Sequence, residues 1–291
     1  MRDGGASLRG AQAPGRASRA AGRRRRGEVG RGRKGRALKR VGGSAMKLTE
    51  HVFAVGGGAL GPLVSDALDC NVYALRAGDD YVLIDAGAGL GTEAIVANLL
   101  ADGIEPERIR LLILTHAHAD HSGGAFGLRS RLQTPSVAAS AMTADIVGNG
   151  DEERMGLIEA RAAGVYPSDY RFAACPVERV LSPGETLRLG RGLTLEVLPA
   201  PGHSADMIAL YCPQLRALFA ADAVFPGGKL AVQTTRDYSE KAYRETIARL
   251  AELEVEQLYA GHGPPLTAAG GASIAAANAR FAAGLPPLSI V

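Results

Sequence analysis

"LILTHAHADHSGG", residues Leu112 to Gly124, sets three histidines and an aspartate inside six positions, directly after an apolar run. The chain of 291 residues has only six histidines, so half of them are spent on one short loop. A lone histidine would read as a solvated or satisfied residue. Four ligand-type groups at this spacing read differently, because neutral imidazoles and a carboxylate are the donors that borderline divalent metals prefer. On a loop leaving a strand, His116 and His118 can point one way while Asp120 and His121 turn toward a neighbouring point, so the loop can serve two ions. Ala117 and Ala119 keep it uncluttered, and Ser122-Gly123-Gly124 lets the backbone turn tightly into a helix.

Three further residues are placed in a related way. His203 sits in "PAPGHSAD" just past an apolar run, Asp222 ends "LFAAD", and His262 lies between glycines in "LYAGHG". Each is a lone ligand-type residue where a strand meets a loop, which is where rigid scaffolds build their sites.

Between these points, short apolar runs alternate with helical patterns. "HVFAVGG", "NVYALRAG" and, after a Gly-Asp-Asp turn, "DDYVLIDAG" predict strands. Thr92 is read as the cap of a helix through "EAIVANLLADG". "IRLLILTH" predicts a buried strand running into the histidine loop, and "AFGLRSRL" a helix leaving it. "SVAAS" reads as a strand, and Ala141 to Tyr170 as loosely patterned helix. Short strands with Gly and Pro turns resume from Glu178 to Phe225. Ser239 then caps "EKAYRETIARLAEL", whose Tyr243, Ile247 and Leu250 share a face. "VEQLYAGHG" is a last strand and loop, followed by an Ala-rich helix. Strands and helices, repeated twice, predict an α+β chain folded as an αββα sandwich, two mixed β-sheets flanked by helices.

Composition permits such a fold. The chain is 46% hydrophobic but only 5% aromatic, with no Trp, so its core must rest on Leu, Val, Ile and Ala. No apolar stretch reaches the length of a membrane span, and none is expected. Cys70, Cys175 and Cys212 are scattered and odd in number, which excludes a disulfide framework and leaves reduced thiols of a cytoplasmic enzyme. Charge is unevenly spread: residues 1–45 carry 14 Lys and Arg against Asp3 and Glu28, leaving 19 basic and 28 acidic residues in the remainder. That basic stretch has almost no large apolar residues and no signal-peptide core, so it is read as a disordered tail. Its "RRRR" could contact nucleic acid. Period-2 alternation begins at Met46, which is taken as the native start, with 46–291 as the folded domain. The acidic body argues against a nucleic-acid substrate, and the oligomeric state is not legible.

The loop 116–121, with the motif H-x-H-x-D-H, and His203, Asp222 and His262 together resemble the metallo-β-lactamase superfamily of metallohydrolases, over nearly all of residues 46–265. The resemblance implies a first metal held by His116, His118 and His203. It implies a second held by Asp120, His121 and His262, with Asp222 bridging them. It implies two divalent ions, zinc foremost and iron or manganese as alternatives, which acidify a shared water for attack on the substrate, and Asp120 as the catalytic residue that orients that nucleophile. Asp85 in "LIDAG" is similar to a family aspartate that orients the ligand loop. His51, on the first strand, is read as structural or surface.

The resemblance says less about the substrate. Glyoxalase II-like thioesterases share the full ligand set but carry a helical domain after the last histidine, where only 29 residues follow His262. The family's β-lactamases lack the bridging aspartate, while its lactonases keep the set and end early. The 82 positions from His121 to His203 include a segment at about 141–170 that is read as a helical lid. Its Met142, Ile146, Met155, Tyr166 and Tyr170 either line a substrate wall or pack the lid onto the body. Lys229, Gln233 and Tyr238, after Asp222, are candidates for the substrate's polar end. The expected function is dinuclear hydrolysis of an ester, thioester or lactone bond of a small molecule. The alternatives are a mononuclear iron sulfur/oxygen oxidoreductase resembling persulfide dioxygenases, and a phosphodiesterase or nuclease.

Overall fold

Alternation along the first strand sets the layering. In β1 (Val52–Gly56), Val52 and Ala54 enter one apolar core while Phe53 and Val55 enter another, and all four are buried. A sheet buried on both faces needs strands that are apolar throughout, as the sequence runs of this chain are. The computed structural model describes residues 46–132 and 136–290. The basic stretch 1–45, and with it the reading of Met46 as the start, lies outside the described residues.

The first sheet follows chain order through β1, β2 (Val72–Ala77), β3 (Asp80–Ile84), β4 (Ile109–Ile113), β5 (Ser136–Ser140) and β6 (Arg179–Leu181). Its first three strands pair antiparallel and the rest parallel. The second sheet is built from β7 (Thr186–Arg188), β8 (Thr194–Pro199), β9 (Ile208–Cys212) and β10 (Ala217–Ala221). After the two-residue β11 (Lys229–Leu230), β12 (Gln257–Ala260) joins this sheet parallel to β10, while the other pairs are antiparallel. Both sheets are therefore mixed. β13 (Leu288–Ser289) pairs with β11.

Leu75, Ile84, Ile113, Val197, Leu210 and Phe219 meet between the sheets. The outer face of the first sheet is covered by α1 (Thr92–Ala101), α3 (Ala125–Leu132) and α4 (Ala141–Asn149), through Ile95, Leu99, Leu128 and Val147; the one-turn α2 (Ala119–Ser122) lies in the histidine loop. After α5 (Leu157–Ala162), α6 (Glu240–Leu250) and α7 (Gly271–Ala282) cover the second sheet, through Tyr243, Ile247, Leu250, Ile274 and Phe281. This is the expected αββα sandwich. Among the described residues no helix is long and apolar enough to cross a membrane.

Two local expectations are sharpened. Ser239 caps α6, accepting from Ala242 N. Thr92 does not cap α1: Gly91 takes that position, and the Thr92 hydroxyl donates back to Gly89 O at 3.1 Å, spending itself on the preceding turn. The segment 141–170 is helical only in α4 and α5. Its Ile146, Met155, Tyr166 and Tyr170 are buried in the core under the first sheet's helices, whereas Met142 is exposed.

Candidate metal centre

The strands β3, β4, β8, β10 and β12 each hand their carboxyl end to a loop that carries one part of a single cluster. β4 leads through Leu114 and Thr115 to His116, and the same loop carries His118, Asp120 and His121. Past β8, β10 and β12 come His203, Asp222 and His262.

The rings of His116, His118 and His203 form one group, with centroids 4.7 Å apart for His116–His118 and His118–His203 and 5.3 Å for His116–His203. His203 Nε2 lies 2.9 Å from His118 Nδ1. Asp120, His121 and His262 form a second group, with Asp120 Oδ2 3.1 Å from His262 Nε2 and 3.5 Å from His121 Nε2. Asp222 stands between them. Its Oδ2 is 3.5 Å from both His203 Nε2 and His262 Nε2, and its Oδ1 is 3.3 Å from His121 Nε2. Gly261 makes this approach possible, because a Cβ there would strike Asp222 Oδ1 and lie 2.6 Å from His121 Cε1.

Outward-facing ring atoms are tied down. His121 Nδ1 is 2.9 Å from Asp85 Oδ2, and His118 Nε2 is 3.0 Å from Asp237 Oδ2. His116 Nδ1 is 3.0 Å from Thr115 Oγ1, which itself donates to Asp85 Oδ2 at 2.9 Å. Asp85 also accepts from Thr115 N at 2.8 Å. It reaches all of these from a left-handed backbone, φ 64°, that few non-glycine residues adopt. Such carboxylate partners fix the tautomer and aim the other ring nitrogen inward.

The inward atoms are what test the fit to a metal. His116 Nε2, His121 Nε2 and Asp222 Oδ1 are buried without a hydrogen-bond partner. Buried acceptors left facing one another are costly unless a cation lies among them, and imidazole plus carboxylate is a donor set for borderline divalent ions. The residues present therefore fit a metal centre. Burial, and then the neighbouring imidazoles, hold His116 well below the usual histidine range. Burial likewise brings His203 down to about 4, against the pull of Asp222. Burial would raise Asp120 and Asp222, but His121 and His262 hold both carboxyls below the usual range.

Residues 65–262 match the family model described as the metallo-beta-lactamase superfamily. The chain belongs to the metallo-beta-lactamase superfamily. It is similar to an acyl-coenzyme A thioesterase, MBLAC2, of Bos taurus, at 29% identity over 66% of this chain and 72% of that protein. It is also similar to a hydroxyacylglutathione hydrolase of Rhodopseudomonas palustris, at 26% identity over 71% of this chain and 67% of that protein. A solved metallo-beta-lactamase from Cronobacter sakazakii, a HARLDQ-motif mutant, shares the fold with a TM-score of 0.62. It is 22% identical, covering 82% of this chain and 95% of that one. As a superfamily member the chain is a metal-dependent hydrolase.

For a superfamily member, the rim is placed unevenly. Tyr166 is buried near enough to Asp120 and His121 to feel their charge, and its ring centroid is 4.9 Å from that of Tyr170. Tyr170 spends its hydroxyl on Ala88 O at 2.7 Å. The ring of Tyr238 lies against that of Tyr243, centroids 6.1 Å apart, and its hydroxyl is buried without a hydrogen-bond partner. Lys229 is exposed on β11, where its carbonyl accepts from Phe225 N. His51 stands off the site, with Nδ1 3.3 Å from Arg76 O across the first two strands.

The sequence reading missed two supports. Asp237 holds His118. Asp206, three residues past His203, accepts from Ala117 N at 2.8 Å and Thr143 Oγ1 at 2.9 Å, tying α4 to the histidine loop. Cys70, a reduced thiol as expected, is buried beside His121 and Asp85, and burial pushes its thiol up to about 12. The only signal for Asp206 was its nearness to His203 in "GHSAD".

Proposed function

We propose that this chain is a dinuclear metal-dependent hydrolase that cleaves the acyl bond of a small molecule, with thioesters preferred over oxoesters and lactones. The observation that carries the reading is Asp222, whose two oxygens lie 3.3 to 3.5 Å from histidine nitrogens of both groups. A carboxylate so placed offers two ions a common ligand, and two divalent ions, zinc above all, would supply Lewis acidity for activating water and polarising an acyl carbonyl.

The chain's own residues do the rest. Asp120, its side chain 22% exposed, is the acid of the cluster that reaches toward solvent, and it is the group placed to orient an attacking water. Asp85 and Asp237 keep the rings of His121 and His118 from turning. Tyr166 and Tyr170 close one side with buried aromatic surface, which keeps bulk water out.

Two things favour a thioester. Asp120 and Asp222 are both held ionised by adjacent imidazoles, so neither is a ready proton donor to a leaving group. A thiol with a pKa of about 8.5 departs as thiolate without one. The relatives named above also act, by their names, on acyl groups carried by coenzyme A and glutathione, both thiols.

The test is a panel of acyl thioesters, oxoesters, lactones and phosphodiesters offered to the zinc-loaded chain, with metal analysis in parallel. About two zinc per chain and fastest turnover of thioesters are expected. One iron per chain with oxygen consumption and no hydrolysis would overturn the reading.

A further inference from the structure

Ala221, the last residue of β10, has φ 45°, a left-handed conformation in which a Cβ is crowded by the following carbonyl. The register of β10 on β12 shifts there, between Phe219 and Ala221, and the turn aims Asp222 out of the sheet into the cluster. Two bonds hold it. Gly261 N donates to Ala221 O at 2.7 Å, and the hydroxyl of Tyr243 donates a short hydrogen bond to Asp222 O. The same hydroxyl accepts from Ala231 N at 3.3 Å.

Tyr243 also supports the other ligand loop. It is wholly buried on α6. A Cβ at Gly202, the residue before His203, would strike the Cα of Tyr243 and lie 2.6 Å from its Cβ and Cγ, so only glycine lets this turn rest on α6 at Tyr243. Along the same helix face, Ser239 N donates to Gly202 O at 2.8 Å and Thr246 Oγ1 donates to Pro201 O at 2.7 Å. One face of α6 thus carries the His203 turn and the main chain of Asp222 together.

We infer that Tyr243 is a positioning residue for the shared carboxylate: its hydroxyl holds the strained turn at Ala221–Asp222, while the helix at its Cα and Cβ carries the His203 turn beside it. The inference rests on the dinuclear reading of the site. It assigns the hydroxyl a role distinct from that of the ring, which would fill the core equally well as phenylalanine.

Tyr243→Phe in the full chain separates the two, read by zinc affinity in competition with a chromophoric chelator and by melting of the chelated protein. About 10- to 100-fold weaker retention of zinc is expected, the range seen when a support behind a ligand is lost, with the chelated protein melting close to wild type. Adding Ala221→Gly tests the cause, because glycine adopts φ near +45° without crowding. The double variant is expected to recover most of the lost affinity, which a purely core-filling hydroxyl would not allow. Wild-type zinc affinity in Tyr243→Phe, or no recovery in the double variant, overturns the inference. A wild-type chain that fails to hold two zinc ions overturns the dinuclear reading, and the inference with it, before any variant is compared.

Discussion

Asp237 Oδ2 lies 3.0 Å from His118 Nε2, a contact made across 119 positions of sequence. Burial works against the charge of both groups, yet the hydrogen bond and charge of the pair hold His118 above and Asp237 below their usual ranges. The bond fixes the proton on Nε2 and leaves Nδ1 facing His203. Asp237→Ala frees the ring, and zinc affinity is expected to fall by about 10- to 100-fold. Competition with a chromophoric chelator measures it, and unchanged affinity would show that His118 is held without Asp237.

Asp237 also marks where the sequence stopped speaking. The loop 116–121 was legible because its candidate ligands are local, and no fold is needed to see them together. His203, Asp222 and His262 were legible because each ends an apolar run, with a Gly or Pro turn around His203 and glycines on both sides of His262. Asp237 and Asp206 are single acids in polar loops, and only tertiary approach distinguishes them from solvated carboxylates. Tyr238 is another case: the sequence offers a tyrosine in a rim loop, and only the fold shows its ring set against that of Tyr243. The layers themselves were readable from alternation and strand order. The two-residue pairing of β11 with β13 has too short a period to read.

Asp222→Ala removes the carboxylate that faces both groups of candidate ligands. Its backbone bond to Tyr243 survives, and the buried imidazoles it faced can give up their protons once the carboxylate is gone, so the fold should persist. Metal content should fall below one ion per chain and activity by at least about 100-fold, the scale of a lost electrostatic anchor. Elemental analysis, circular dichroism and turnover of the best panel substrate check this together. Full activity would rule out the shared carboxylate.

Gly261→Ala tests the approach of β12 to the centre without replacing a candidate ligand. The new methyl group would strike Asp222 Oδ1 and crowd His121 Cε1. Asn71 N donates to Gly261 O at 2.7 Å, and this bond keeps the backbone from simply moving away. Zinc retention should drop sharply while the chelated protein stays folded, losing roughly 1–3 kcal/mol to overpacking. Metal analysis after dialysis and chemical denaturation of the chelated form give the two numbers. Retention of both ions would mean that the site yields more readily than its packing implies.

His203 sets a pH dependence whose sign can be worked out. Burial brings its folded pKa to about 4, from 6.5, with Asp222 opposing and His118 adding to the fall. Between those values the unfolded chain carries the proton and the folded chain does not, so stability is lost as pH falls through the window. The difference corresponds to about 3 kcal/mol once both pKa values are passed. His118, His121 and His262 are raised and act with the opposite sign, but they are present in wild type and variant alike. His203→Gln should therefore narrow the gap in unfolding free energy of the chelated protein between pH 7.5 and pH 4. Urea titrations of both proteins at the two pH values measure it, and parallel profiles would show that His203 is protonated as readily in the fold as outside it.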